Sequence, residues 1–203
     1  MEKSNQVVIN AAYRLRAETL NSYVKRLKKL GIKTLGRGQY ADVFQHPTMP
    51  DVVVKLLTDN DPCYEAYVEF SRKTRNKYTP KILDVVSADQ AFDVKGKDDL
   101  GDLRLVFMEK LEPLHYNRFI DFGEHVGKLA GFKSRFDIES ALMDVETWIK
   151  VSKQKVDPDL AKLAKFLVKI NKTGVKGSQL DLHDGNMMVR GTQVVITDPF
   201  ASY

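Results

Sequence analysis

Near its C-terminal end the chain reads Asp181-Leu182-His183-Asp184-Gly185-Asn186, and then Val194-Val195-Ile196-Thr197-Asp198-Pro199. Asn186 follows Asp181 by five residues, and Asp198 comes twelve residues after that. An Asp, an Asn at this interval and a later Asp recur where a phosphoryl group is transferred. The first Asp meets the acceptor hydroxyl, while the Asn and the second Asp hold the Mg2+ that bridges the nucleotide phosphates. Taken alone, the loop has a second reading. Asp, Gly and Asn are turn formers, so Gly185-Asn186 also suits a solvated hairpin corner.

Such chemistry needs other parts: a backbone that can approach phosphates, a cation to meet them, and elements to carry both. Ile32-Lys33-Thr34-Leu35-Gly36-Arg37-Gly38-Gln39-Tyr40-Ala41-Asp42-Val43-Phe44 reads as strand, glycine turn, strand. Gly36 and Gly38 allow close approach of a ligand, and a turn of this kind can direct amide N–H groups at phosphates. The spacing follows G-x-G-x-x-G-x-V with Val43 in the last place and Ala41 in place of the third glycine. Asp51-Val52-Val53-Val54-Lys55-Leu56-Leu57 is a β-branched strand with one lysine inside it. Lys55 there either reaches phosphates or snorkels out of the sheet. Asp61-Pro62 opens a helix to about Arg75, with Glu65 and Glu69 four apart on one side.

The remaining elements follow from periodicity. A helix is predicted over about 5–30, ending in the basic run Lys25–Lys29 and Gly31. Short strands are predicted over 81–86 and 91–94, and a buried strand over 103–108 that stops at Glu109 and Pro113. Helices are predicted over about 116–129, 136–151 and 158–170, the last started by Asp157-Pro158 and stopped by Lys172-Thr173-Gly174. His115 and His125 have no metal-ligand partners in this pattern and read as structural. Met187–Val189 and Gln193–Ile196 read as a hairpin around Gly191 that delivers Asp198.

Composition narrows the class. The chain has 203 residues, 43% hydrophobic and 29% charged, with a formal net charge of +5. That is enough for one core or two small lobes of an ordinary globular protein. The single cysteine, Cys63, excludes an internal disulfide framework and fits a reducing compartment such as a cytoplasm. No apolar run reaches membrane-spanning length, and the charged start Met1-Glu2-Lys3 is not a signal peptide, so no membrane role is expected. The mild positive charge suits nucleotides, acidic proteins or nucleic acid and by itself does not choose among them; nucleic acid is not the expected partner.

Glycine turn, strand lysine, acid-bearing helix, buried strand, helices, D-x-x-x-x-N and I-T-D occur in one order, and in that order the chain resembles the protein-kinase-like superfamily. The Asp181-Leu182-His183 form of the loop is also similar to aminoglycoside and other small-molecule phosphotransferases. A closer resemblance is to the early serine/threonine kinases of lytic podoviruses of the Autographiviridae type. It rests on Leu35-Gly36-Arg37-Gly38 through Phe44-Gln45-His46-Pro47 to Val54-Lys55, and on Asp181-Leu182-His183-Asp184-Gly185-Asn186 with Ile196-Thr197-Asp198-Pro199.

The resemblance implies an α+β, bilobal fold. A small antiparallel-sheet lobe is expected over 1–111 and a reduced, mostly helical lobe over 112–203, with ATP between them. It implies that Gly36, Gly38 and Lys55 hold the phosphates, Val43 belongs to the nucleotide site, and Glu65 pairs with Lys55, with Glu69 as the other choice. Glu109 to Leu111 become a hinge whose backbone meets adenine, and Met108 stands behind it. Asn186 and Asp198 hold Mg2+, and Asp181 accepts the acceptor's proton. His183 takes the place of a catalytic-loop lysine beside the γ-phosphate, and Asp184 has no direct role. The implied activity is ATP- and Mg2+-dependent phosphorylation of Ser/Thr hydroxyls on host proteins in the bacterial cytoplasm. A small-molecule phosphotransferase and an inactive, partner-binding relative are the alternatives.

There are departures. Gln179 stands where kinases place His before the catalytic Asp, and Pro199 replaces the Phe of D-F-G. Only Pro199-Phe200-Ala201-Ser202-Tyr203 follow Asp198, so no activation segment is expected in this stretch.

Overall fold

Val52–Leu57 forms strand β3, the middle of a five-stranded antiparallel sheet, and all six of its side chains are buried. β-branched residues suit such a strand because they pack well on a pleated, enclosed surface. The computed structural model describes residues 32–37, 41–57, 61–87, 104–115, 157–175 and 178–201. The helices expected over 5–30, 116–129 and 136–151, the strand over 91–94, Gly38 and His125 lie outside the described residues.

The sheet runs β1 (Thr34–Arg37), β2 (Ala41–Gln45), β3, β5 (Arg104–Glu109), β4 (Ile82–Ser87) in spatial order. Phe44, Val54, Leu56, Val106 and Phe107 are its most enclosed apolar residues. The β2–β3 connection is tied by His46, whose Nδ1 accepts the backbone N–H groups of Thr48 at 3.3 Å and Met49 at 3.1 Å. His46 is 2% exposed, and burial holds its pKa below the ordinary imidazole value, which keeps the ring neutral and Nδ1 an acceptor. The Gln45 side chain closes the same turn by donating to the carbonyls of Pro50 and Val52.

A second sheet has three antiparallel strands: β6 (Glu112–Pro113), β7 (Met187–Arg190) and β8 (Gln193–Ile196), with β7 in the middle. Pro113 fits there because β6 is an edge and needs no second donor. Helix α1 (Pro62–Thr74) starts where the Asp61 carboxylate accepts the N–H groups of Cys63 and Tyr64, and stops at Arg75 in the left-handed region, φ 49°. Helix α2 (Pro158–Asn171) has the same kind of start, with Asp157 accepting from Asp159 and Leu160. Its Leu160, Leu163 and Leu167 are fully buried, each contributing about 1.5–3 kcal/mol on burial. Antiparallel sheets with separate helices give the α+β class expected from sequence.

The chain divides into two compact units, Met1–Asn60 with Ile82–Lys110, and Asp61–Lys81 with Leu111–Tyr203. The expected boundary at 111/112 counted α1 with the first lobe. The hydrogen bonds that hold α1 and the residues after it in the second unit are specific. The Tyr67 hydroxyl donates to the Ile196 carbonyl, Ile196 N–H donates to the Tyr78 carbonyl at 2.9 Å, and Arg190 donates to the carbonyls of Lys77 and Thr79. Asn76 donates to the Asp159 carbonyl at 2.6 Å, and Phe70 stacks on Phe166 with ring centroids 4.3 Å apart.

Candidate active site

In the first unit, strand register aligns residues that are far apart in sequence. Gly36 pairs with Val43, Val43 with Lys55, Lys55 with Val106, and Val106 with Val85. Directly opposed residues in an antiparallel sheet project from one face. Gly36, Val43 and Lys55 therefore form one row across the sheet. Met108, two residues from Val106, lies on the same face and is 6% exposed.

Lys55 is 8% exposed. An ammonium this enclosed needs partner groups, whereas a snorkelling strand lysine would keep its head in water. At Gly36 the backbone is not in the left-handed region, and no described atom lies within 4 Å of the place a Cβ would take. Neither turn geometry nor packing against described residues requires glycine there; close approach of a ligand would. In the expected hinge, the Lys110 N–H is already bonded to the Asp51 carbonyl at 2.8 Å. Glu109 and Leu111 flank it, half-buried and buried respectively, with Leu111 in the second unit.

In the second unit, the stretch Asp181–Asn186 and the stretch that ends in Asp198-Pro199 meet each other. Leu180 and Phe200 form an antiparallel bridge, Asp181 N–H donates to the Pro199 carbonyl at 3.0 Å, and Ala201 N–H to the Gln179 carbonyl at 2.8 Å. Asn186 Nδ2 donates to the carbonyl of Asp181 at 2.8 Å and to its Oδ2 at 3.1 Å. The Asn186 carbonyl in turn accepts from Thr197 N–H at 2.8 Å, Thr197 Oγ1 at 2.9 Å and Asp198 N–H at 3.4 Å. Asp181, Asn186 and Asp198 are thus bound into one constellation by main-chain and side-chain hydrogen bonds.

His183 joins it from the loop. Its Nδ1 accepts the Gly185 N–H at 3.0 Å, so the neutral ring carries its proton on Nε2, which lies 3.6 Å from Asp181 Oδ2. Asp184 is exposed and its Oδ1 accepts the same Gly185 N–H at 2.9 Å. The loop residues Asp184–Asn186 make a single tight helical turn. Glu65, on α1, is half-buried, whereas Glu69 is exposed and pairs with Lys73 at 2.7 Å.

The donor set suits a hard cation. Both bonds of Asn186 Nδ2 go to Asp181, so Oδ1 is the amide atom left over, and it accepts no hydrogen bond among the described residues. An amide oxygen and the Asp198 carboxylate are oxygen ligands of the kind Mg2+ takes together with waters and phosphates. Among the described residues no group of three or more His, Cys, Asp or Glu gathers as a metal cage.

Sequence reasoning missed three residues of this constellation: Gly185, which leaves room for the His183 ring, Thr197, which bonds to Asn186, and Tyr67, whose hydroxyl holds the carbonyl two residues before Asp198. The polar types at 185 and 197 lie inside the quoted motifs, and only the fold shows what they touch.

A family model described as bacteriophage T7 protein kinase 0.7 matches residues 2–203. The chain belongs to that family. Membership in a protein kinase family supports phosphotransferase activity. Among solved structures, a choline/ethanolamine kinase family protein from Mesorhizobium loti is similar with a TM-score of 0.36 and 16% identity, over 83% of this chain and 60% of that one. APH(2")-IIa, solved as a ternary complex with streptomycin and ATP, is similar with a TM-score of 0.35 and 11% identity, over 91% of this chain and 73% of that one. The family assignment rests on the sequence match. A search of curated proteins yields no match. Among the described residues no helix is long and apolar enough to cross a membrane.

Proposed function

We propose that this member of the T7 protein kinase family transfers the γ-phosphoryl group of ATP to Ser or Thr hydroxyls of a host bacterial protein. The observation that carries the reading is the hydrogen-bonded grouping of Asp181, Asn186 and Asp198. Family membership adds the expectation of a protein acceptor. In the reaction, the acceptor oxygen bonds to the γ-phosphorus while the bond from that phosphorus to the β–γ bridging oxygen breaks. ADP leaves with the electron pair, and the acceptor's proton goes to Asp181. Asn186 holds Oδ2 of that carboxylate, which leaves Oδ1 as the oxygen to receive the proton.

Lys55 and the glycine turn at Gly36 and Gly38 take phosphate charge, and Val43, Met108, Glu109 and Leu111 supply the surface toward the base. Asn186 and Asp198 are the residues that would hold Mg2+, and a bound Mg2+ would supply charge neutralisation for the phosphates. His183 Nε2–H is a donor available to a phosphoryl oxygen next to Asp181. The acceptor docks by an acidic segment on helix α2, whose Lys162, Lys165 and Lys169 recur at helical spacing and, with Lys172 at the C-cap, are all exposed. Little covalent chemistry falls to the protein, so positioning and charge supply most of the rate.

The reading is tested by melting the protein with and without Mg-ATP. Ligand at a hundred times its dissociation constant stabilises the folded state by about 2.7 kcal/mol. For a chain of this size that corresponds to a rise in Tm of about 5–10 °C. Lys55→Ala is expected to remove most of the rise. An unchanged Tm at saturating Mg-ATP would contradict nucleotide binding.

A further inference from the structure

The Asn186 carbonyl is where the two expected metal ligands are tied together. Two main-chain donors reach it, Thr197 N–H at 2.8 Å and Asp198 N–H at 3.4 Å, and any non-proline residues at these positions would supply them. The third donor belongs to one side chain: Thr197 Oγ1, at 2.9 Å. The residue before it is fixed from the opposite direction. Ile196 is fully buried, its N–H bonds to the Tyr78 carbonyl and its C=O accepts the Tyr67 hydroxyl. Beyond Thr197, the Pro199 carbonyl is taken by Asp181 N–H. Between these two anchors lies Asp198, and the torsions of Thr197 set where its carboxylate points.

We propose that Thr197 is a positioning residue for the metal site: its hydroxyl locks the Asp198 arm to the Asn186 arm and so sets the spacing of their ligand oxygens. Threonine suits the task better than serine or valine. Its second branch on Cβ restricts χ1, so the hydroxyl is pre-aimed at the carbonyl. Valine keeps the shape and loses the donor. A loosened arm costs metal affinity, because ligands that must be brought into place on binding give back part of the interaction energy as ordering. The chemical step, which depends on Asp181, is untouched once the metal is in place. The inference rests on the assignment of Asn186 and Asp198 as Mg2+ ligands.

The test is a titration with Mn2+ in the presence of a non-hydrolysable ATP analogue, following free Mn2+ by electron paramagnetic resonance, so that turnover plays no part. Thr197→Val and Thr197→Ala are each expected to raise the Mn2+ dissociation constant by about two- to tenfold, the factor one net hydrogen bond carries. Thr197→Ser is expected to restore most of it. In transfer assays the same two variants need more Mg2+ for half-maximal rate and reach a near wild-type rate at saturation. Asp198→Asn is the control for the metal assignment and is expected to weaken Mn2+ binding most. If it binds Mn2+ as wild type does, the assignment fails and the Thr197 role fails with it. If Asp198→Asn loses Mn2+ while both hydroxyl-free variants keep wild-type affinity, or lose only thermal stability, the Thr197 role alone is overturned.

Discussion

Gly185 carries no side chain for a reason that lies in the neighbouring ring. A Cβ at that position would stand 2.8 Å from Cε1 and 3.0 Å from Nδ1 of His183, closer than side chains pack, while the Gly185 N–H donates to that same Nδ1. The backbone there is not left-handed, so the demand comes from the imidazole and not from torsional strain. Gly185→Ala is therefore expected to push His183 away from Asp181 and to slow phosphoryl transfer by up to about a hundredfold, the order reached when a single donor to the reacting group is lost. His183→Ala should give a similar loss, and the double substitution no more than either alone, since both remove one interaction. Additive losses would separate the two residues. The Asp–Asn–Asp spacing was legible from the sequence because it recurs as a pattern. The roles of Gly185 and Thr197 were not, because each depends on a contact distance that only a folded loop defines.

Helix α2 shows what an element contributes. Its cap, Asp157, accepts two helix N–H groups and pairs with Lys77, and the Tyr78 hydroxyl donates to it at 3.2 Å. Burial by itself would raise the Asp157 pKa, but Lys77 and the amides of Asp159 and Leu160 outweigh it and hold the carboxyl below its usual value. A depressed carboxylate adds stability that is fully present above the unfolded-state value of about 3.9 and is lost as pH falls through the lower folded value. The urea midpoint should hold from neutral pH to about pH 5 and drop below about pH 4, with a shallower drop in Asp157→Asn. Identical acid profiles would remove Asp157 from the explanation.

The opposite, exposed side of α2 is basic. Among the described residues no carboxylate pairs with Lys162, Lys165, Lys169 or Lys172. Charge reversal at Lys162, Lys165 and Lys169 is expected to weaken transfer to the protein acceptor, most at low salt, and to leave the Mg-ATP thermal shift intact. Equal transfer at low salt would exclude this face as the dock. Both helix starts were readable from Asp-Pro pairs at 61–62 and 157–158. The strands around the lysine and the final hairpin were likewise found within a residue or two. The row Gly36–Val43–Lys55 was not readable as a row, since register between strands is fixed by partners distant in sequence. Nor was the pairing of Glu112–Pro113 with β7, because a two-residue strand has no period of its own.

At the scale of the molecule, each unit carries part of the machinery expected of a T7-type protein kinase. The first presents Gly36, Val43, Lys55 and Met108 on one sheet face. The second holds Asp181, Asn186 and Asp198 together, with α1 fastened to the Asp198 arm through Tyr67 and Ile196. That last bond joins residues 129 apart in sequence, a pairing that helical periodicity alone does not show. The family itself was legible because the order of weak motifs along the chain is more specific than any one of them. The most direct measurement is transfer of label from γ-labelled ATP into a bacterial lysate, comparing wild type with Asp181→Asn and separating proteins from small molecules. Wild type is expected to label protein as phosphoserine or phosphothreonine, and Asp181→Asn to label nothing while keeping the Mg-ATP thermal shift. Wild-type labelling by Asp181→Asn, or label confined to the small-molecule fraction, would contradict a protein kinase that uses Asp181 as its base.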